Sequence, residues 1–162
     1  MMSKINSLLL FICLSGLVSC THSGELKDFT YRYTMESINN FKVEFRLNPD
    51  STYQISRYNY FFDKFEGKAK PLIRKGELTR DEFNSFAKLI ERSTLKKMDD
   101  SYGFDREGDV DNSIVYMVEL KRNEESKFVS VNTNTDEPLP VGFKRLIAFT
   151  GEFISDKTGM SE

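Results

Sequence analysis

The residues best suited to nucleophilic and acid–base chemistry lie close to the amino terminus. Cys13, Cys20 and the single histidine, His22, all fall within the first 22 residues of the 162-residue chain. A catalytic triad needs its imidazole on a rigid scaffold, within hydrogen-bond reach of a nucleophile. We expect His22 to be a solvated residue on a polar segment. The sequence therefore excludes histidine-dependent hydrolysis and His/Cys zinc sites from the rest of the chain.

An acidic loop extends from Asp99 to Asn112, and its carboxylate oxygens are ligands that hard cations prefer. Its spacing is not that of an EF-hand, because a loop starting at Asp105 would need glycine and glutamate where Val110 and Tyr116 stand. We expect a solvated loop, with an irregular cation site as the alternative, and we predict no cofactor. Carboxylate pairs elsewhere leave an envelope hydrolase open as a rival function.

The segment RYNYFF, from Arg57 to Phe62, is the most aromatic stretch of a predicted strand. Alternation places Tyr58, Tyr60 and Phe62 on one face of that strand. Aromatic rows stack on sugars or peptides, but they also form cross-strand pairs inside a sheet. We expect core packing, with a binding surface formed by Arg57, Tyr58 and Tyr60 as the alternative. That surface would suit an inhibitor or partner-binding protein whose partner is an envelope protein or a glycan.

The first twenty residues have the order of a signal peptide. Lys4 precedes an apolar stretch from Ile5 to Val18 that Asn6 and Ser7 interrupt. The stretch is shorter than the roughly 20 apolar residues that a helix needs to cross a bilayer. We therefore expect export and removal of this segment rather than a permanent transmembrane helix.

The sequence Leu17-Val18-Ser19-Cys20 resembles a bacterial lipobox. The resemblance implies that the Cys20 thiol receives a diacylglycerol, that cleavage occurs between Ser19 and Cys20, and that the new amino terminus is acylated. One acyl chain binds a membrane only marginally, whereas two or three chains make the attachment stable. Thr21 stands where inner-membrane lipoproteins of some bacteria carry aspartate, so the same resemblance implies an outer-membrane location.

Composition and charge describe one globular domain behind this targeting segment. The chain has 39% hydrophobic and 30% charged residues, with 14 Phe and 7 Tyr that we expect to dominate the core. Its net charge of -2 comes from mixed acids and bases without a basic block, which argues against nucleic acid as a partner. We predict a signal peptide over 1–19, a lipidated tether over 20–28, a globular domain over 29–155 and a frayed tail over 156–162.

The hydrophobic pattern of the domain predicts strands, then a helix, then strands, then a second helix. The first helix, Arg80 to Arg92, follows a capping box formed by Thr79 and Glu82, and the second begins near Pro140. The order favours an α+β fold with an antiparallel β-sheet of about five to six strands and two helices packed on one face. The predicted strands are Phe29 to Met35, Phe41 to Leu47, Thr52 to Phe62, Pro71 to Gly76, Ile114 to Lys121 and Lys127 to Asn132.

A second resemblance covers Tyr53 to Ile154 and concerns topology. The helix start KGELTRDEF, the spacing Leu95-x-x-Met98-x-x-x-Tyr102, the acidic loop, the hairpin and the final helix are similar to small bacterial lipoprotein-associated domains of unknown function. Those domains often carry a Cys-Phe-Gly-Thr-Cys-Pro motif before their first hairpin, and this chain lacks it.

Overall fold

A computed structural model describes residues 26, 28–37, 40–60, 70–104 and 113–159. Within them lie two α-helices, α1 Arg80–Arg92 and α2 Val141–Thr158, and a 3₁₀ turn at Leu95–Lys97. The strands are β1 Phe29–Ser37, β2 Phe41–Leu47, β3 Thr52–Asn59, β4 Leu72–Glu77, β5 Ser101–Tyr102, β6 Ile114–Arg122 and β7 Glu125–Asn132. The α+β prediction is confirmed.

One sheet contains all seven strands, in the order β4-β3-β2-β1-β6-β7-β5. Every neighbouring pair is antiparallel except β5 and β7, which run parallel. The sheet is therefore mostly antiparallel, as predicted, but it has one strand more than the predicted five to six and one parallel pair. The additional strand is β5, which lies within the predicted acidic loop. Two residues are too few to produce an alternating pattern, so β5 is defined only by its pairing with β7.

The hairpin between β2 and β3 is present as the sequence predicted. The Asn48 amide donates to the Thr52 carbonyl at 2.9 Å, and Ser51 takes a positive φ of 66° in the turn. The strand β3 ends at Asn59 rather than at Phe62. Tyr60 follows the strand, and Phe61 and Phe62 lie outside the described residues.

Helix α1 has the predicted bounds, because its capping box forms. The Glu82 amide donates to the Thr79 hydroxyl at 3.2 Å, and the Thr79 amide donates to the Glu82 carboxylate at 2.8 Å. These bonds satisfy two amides that would otherwise lack partners at the helix start. The helix then buries Phe86, Ala87 and Ile90 along one side.

Helix α2 begins directly after Pro140 and touches the end of α1 at Gly142. It continues to Thr158, and Gly159 caps it with a left-handed φ of 72°. The helix therefore extends three residues past the predicted end of the domain at 155. At the other end of the chain, Leu26 is only 5% exposed, although it falls within the predicted tether. A leucine next to Ile90 and Leu95 is more stable out of water.

The core lies on one face of the sheet, where strand register aligns Tyr33, Phe45 and Ile55 across three strands. The ring of Phe86 in α1 lies 5.4 Å from that of Phe45, and the ring of Phe153 in α2 lies 5.5 Å from it. The expectation that aromatic residues dominate the packing is confirmed by this cluster. The opposite face carries the alternate residues of the same strands, most of which are charged or polar.

Candidate functional site

The two residues predicted for lipid attachment and cleavage, Cys20 and Ser19, lie outside the described residues, as does His22. None of the helices in the described part of the chain is both long and apolar enough to cross a membrane. The first described residue, Leu26, comes six positions after Cys20. Its burial attaches the chain to the core near the end of α1.

Arg57 of the predicted binding surface lies on a different face of the sheet from the hydroxyls of Tyr58 and Tyr60. Arg57 pairs with Val43 and shares its face with the aromatic core, whereas Tyr58 pairs with Lys42 on the opposite face. Tyr60 follows the strand, and its hydroxyl donates to the Glu36 carboxylate at 3.3 Å. Glu36 pairs with Lys42, so the hydroxyls of Tyr58 and Tyr60 both reach the polar face.

Tyr58 belongs to a small ionic network on the polar face. Its hydroxyl donates to Glu44 at 3.3 Å, and the other oxygen of Glu44 lies 2.7 Å from the Lys42 ammonium group. Partial burial, followed by the Glu44 charge, raises the pKa of Tyr58, and the hydrogen bond to Glu44 raises the pKa of Lys42. Both groups therefore keep their protons at neutral pH. Neither is suited to act as a general base or a nucleophile there.

A groove lies at the ends of β2, β3 and β4, which we call the β3–β4 groove. It has a volume of about 360 Å³ and is lined by Phe41, Val43, Arg57, Tyr58, Asn59, Lys70 and Leu72. The lining includes the apolar Phe41, Val43 and Leu72, and its two charged residues, Arg57 and Lys70, are both cationic. The volume falls within the range of about 300 to 1,000 Å³ that small-ligand sites occupy.

The strand β4 borders this groove and is the last strand on its side of the sheet. Its apolar side chains are unusually open to water, because Leu72 is 73% exposed and Ile73 is 52% exposed. Arg74 and Lys75 follow them, and the Arg74 guanidinium donates to the Lys157 carbonyl at 3.1 Å. We call residues 72–75 the β4 edge.

None of the ion pairs formed between described residues involves Arg57, Lys70, Arg74 or Lys75. These four cations lie along β4 and the groove beside it. The protein as a whole is slightly acidic, with a net charge of -2. The β4 edge is therefore a local concentration of positive charge next to exposed apolar surface.

A larger cavity of about 460 Å³ lies between α2 and the ends of β6 and β7. Its apolar lining includes Tyr116, Leu139 and Ile147, which pack against the core. The Glu137 carboxylate at its rim accepts the Gly103 amide at 2.9 Å and so serves the loop structure. The other charged residue of its lining is Lys144, so the rim has no excess of one sign.

Of the predicted acidic loop, only residues 99–104 lie within the described part of the chain. Asp99 and Asp100 are exposed, and Asp100 pairs with Lys127, whereas residues 105–112 lie outside the described part of the chain. Within the residues that the structure covers, no group of three or more His, Cys, Asp or Glu side chains is placed to hold a metal ion.

Sequence reasoning missed the β4 edge. The predicted strand Pro71 to Gly76 included these residues, but its position at the border of the sheet depends on strand order. The signal was present in the adjacent Arg74 and Lys75, because basic residues and proline are frequent on edge strands.

The sequence matches no protein-family model and no curated protein.

Proposed function

We propose that this chain is a lipid-anchored lipoprotein of the bacterial cell envelope that works as a non-catalytic binding or structural module. The observation that carries the proposal is the lipobox-like sequence Leu17-Val18-Ser19-Cys20 behind a short apolar segment. Exported lipoproteins of this kind are held at a membrane by acyl chains on the cysteine, and each buried methylene adds about 0.8 kcal/mol to that attachment.

The anchor would hold the domain close to the bilayer. Leu26 is buried in the core, so only the chain between Cys20 and Leu26 spans the distance to the lipid. Six residues reach at most about 20 Å when fully extended. We place the protein at the outer membrane, because Thr21 follows the cysteine in place of aspartate.

The fold supports a module that presents surfaces to a partner. We infer that α1 and α2 form one layer over the aromatic face of the sheet, since Phe86 and Phe153 both contact Phe45. That arrangement leaves the polar face and the β4 edge accessible.

Metabolic labelling with an alkyne fatty acid in a bacterial host with two membranes tests the anchor. The full-length protein should carry the label, and the mature amino terminus should begin at Cys20. Cys20→Ser should abolish the label. Cys13→Ser is the matched control, because Cys13 lies in the segment to be removed, and this variant should label as the parent does.

Membrane fractionation gives the second readout of the same proposal. The parent protein should co-sediment with outer membranes, and Thr21→Asp should move it to inner membranes in a host that sorts lipoproteins by this residue. If Cys20→Ser still incorporates the fatty acid, or if Cys13→Ser loses it, Cys20 is not the lipid attachment site and the proposal is wrong.

A further inference from the structure

We propose that the β4 edge binds an extended acidic segment of a partner protein, which adds a strand to the sheet beside β4. The inference names the partner chemistry for the proposed binding module and rests on that function. It is carried by three features of β4: a backbone edge at the border of the sheet, exposed apolar side chains and cations outside the described ion pairs.

The backbone of β4 is the first feature. β4 pairs with β3 along Thr52↔Glu77 to Arg57↔Leu72, and it has no second neighbour among the strands that the structure describes. An edge strand presents a row of amide and carbonyl groups that a further strand can pair with. Peptides that add to a sheet edge in this way gain affinity from the main chain and specificity from alternate side chains.

Residues 72–75 give the two faces of β4 the same pattern, and Glu77 at the far end of the strand adds one acid to the polar face. Register with β3 places Leu72 and Arg74 on the face of the aromatic core, so Ile73 and Lys75 lie on the opposite face. Each face therefore offers one apolar residue followed by one cation. An antiparallel partner would match this pattern with two acidic residues followed by two apolar ones, because opposite charges and apolar pairs across strands are favourable.

The β3–β4 groove extends the recognition surface on the core face. Leu72 lines it together with Phe41, and Arg57 and Lys70 supply further positive charge. A side chain of the added strand opposite Leu72 would bury apolar surface there. Carboxylates next to it would face cations that have no ion pair with other described residues.

A second copy of this chain fits the edge poorly. An antiparallel β4–β4 pair centred on the strand would set Arg74 opposite itself, Arg74 opposite Lys75 or Lys75 opposite itself, depending on the register. Like charges directly opposite each other destabilise a strand pair. Registers shifted toward Glu77 would pair that acid with Arg74 or Lys75, but they leave Leu72 and Ile73 without a partner strand. The charges therefore disfavour self-association in the registers that use the apolar residues of β4.

The test uses the peptide acetyl-Ser-Thr-Glu-Glu-Val-Val-Thr-Ser-amide with a fluorescent label, and full-length protein purified in detergent micelles. Fluorescence anisotropy measures binding, and hydrogen exchange measured by mass spectrometry reports the amides of residues 72–77. We expect saturable binding and slower exchange in β4. A peptide with lysine in place of both glutamates should bind about tenfold more weakly, and so should a version N-methylated at alternate residues.

Variants of the protein locate the site. Lys75→Glu should weaken binding about fivefold or more through lost and reversed charge, and Leu72→Ser should weaken it through lost apolar contact. Lys121→Glu is the matched control, since Lys121 is exposed on β6, four strands away from β4. Its affinity should stay within about twofold of the parent because exposed charges at that separation are largely screened.

Three results would overturn the proposal: equal binding of the N-methylated peptide, parental affinity in Lys75→Glu, or no binding of the acidic peptide. The same titrations on Cys20→Ser protein separate this proposal from that of the lipid anchor. If the parent protein carries no fatty acid but Cys20→Ser protein binds the peptide, the anchor proposal fails and the β4 proposal stands. If the parent protein carries the fatty acid but does not bind the peptide, only the anchor proposal stands.

Discussion

A methyl group added at Gly142 would collide with the end of the neighbouring helix, so we expect Gly142→Ala to destabilise the fold. The new Cβ would lie 2.1 Å from the Arg92 carbonyl oxygen and 3.0 Å from the Cα of Ser93. Ordinary contact at such an atom begins at 3.4 Å, so α2 and α1 would have to separate by roughly 1.3 Å. The atoms involved are backbone and cannot rotate away.

The magnitude follows from two opposing contributions. Overpacking in a closely packed region costs about 1 to 3 kcal/mol. Alanine is favoured over glycine inside a helix by about 0.5 to 1 kcal/mol, which offsets part of that cost. Gly151 supplies the matched control on the same helix, because a Cβ there would meet no atom within 4 Å. Gly151→Ala should therefore stabilise the protein by about 0.5 to 1 kcal/mol.

Urea unfolding followed by far-ultraviolet circular dichroism measures both variants at one pH. Gly142 lies in the first turn of α2, where the preference for alanine is smaller than at Gly151, so a difference in unfolding free energy above about 1 kcal/mol reports the overlap at Arg92. We expect Gly151→Ala to be more stable than Gly142→Ala by about 1 to 3 kcal/mol, with similar slopes against urea. Equal stability of the two variants would refute the close contact between the helices.

Three further predictions concern hydrogen bonds and charge. Thr150→Val should lower the unfolding free energy by about 1 to 3 kcal/mol, because it leaves the buried Tyr31 hydroxyl without a hydrogen-bond partner. Tyr31→Phe should lower it by only about 0.5 to 1.5 kcal/mol, because the Thr150 hydroxyl still donates to the Leu146 carbonyl. Equal losses in urea unfolding would contradict this. Thr79→Ala should lower the unfolding free energy by about 1 kcal/mol, because the variant loses the helix cap. The same urea curves measure this loss, and no loss would show that the capping box does not form. The hydrogen bond from Lys157, followed by that from the Thr79 amide, lowers the pKa of Glu82 below its ordinary value of 4.5. The ionised Glu82 therefore stabilises the fold above pH 4.5, and this stabilisation is lost as the pH falls further. Glu82→Gln should reduce the loss of thermal stability at acid pH, and an unchanged pH dependence of the melting temperature would refute the role of Glu82.

Several parts of the fold could be predicted from the sequence because their causes are local. Alternation of Phe41, Val43, Phe45 and Leu47 with charged residues identifies β2, and the capping box defines the start of α1. The β2–β3 turn follows from its Asn-Pro-Asp-Ser sequence. Each of these signals acts between residues close together in the chain.

The candidate site could be predicted only in part. The sequence drew attention to Arg57 and Tyr58, and both line the β3–β4 groove, but it grouped them with Tyr60 as one aromatic surface. The alternation of side chains along a strand is enough to place Arg57 and Tyr58 on opposite faces of the sheet. What it could not supply is that Tyr58 and Tyr60 would bond to Glu44 of β2 and Glu36 of β1.

The sequence by itself determined the composition of the core and most of the secondary structure, since these depend on residue types and short spacings. Only the tertiary structure decided the sheet order, the parallel pairing of β5 and the exposure of Leu72 at the edge. Strand order depends on contacts such as those between β1 and β6, which lie some eighty residues apart in the chain. The apolar residues of an interior strand and an edge strand look alike in sequence, and their exposure differs only because one strand lacks a neighbour.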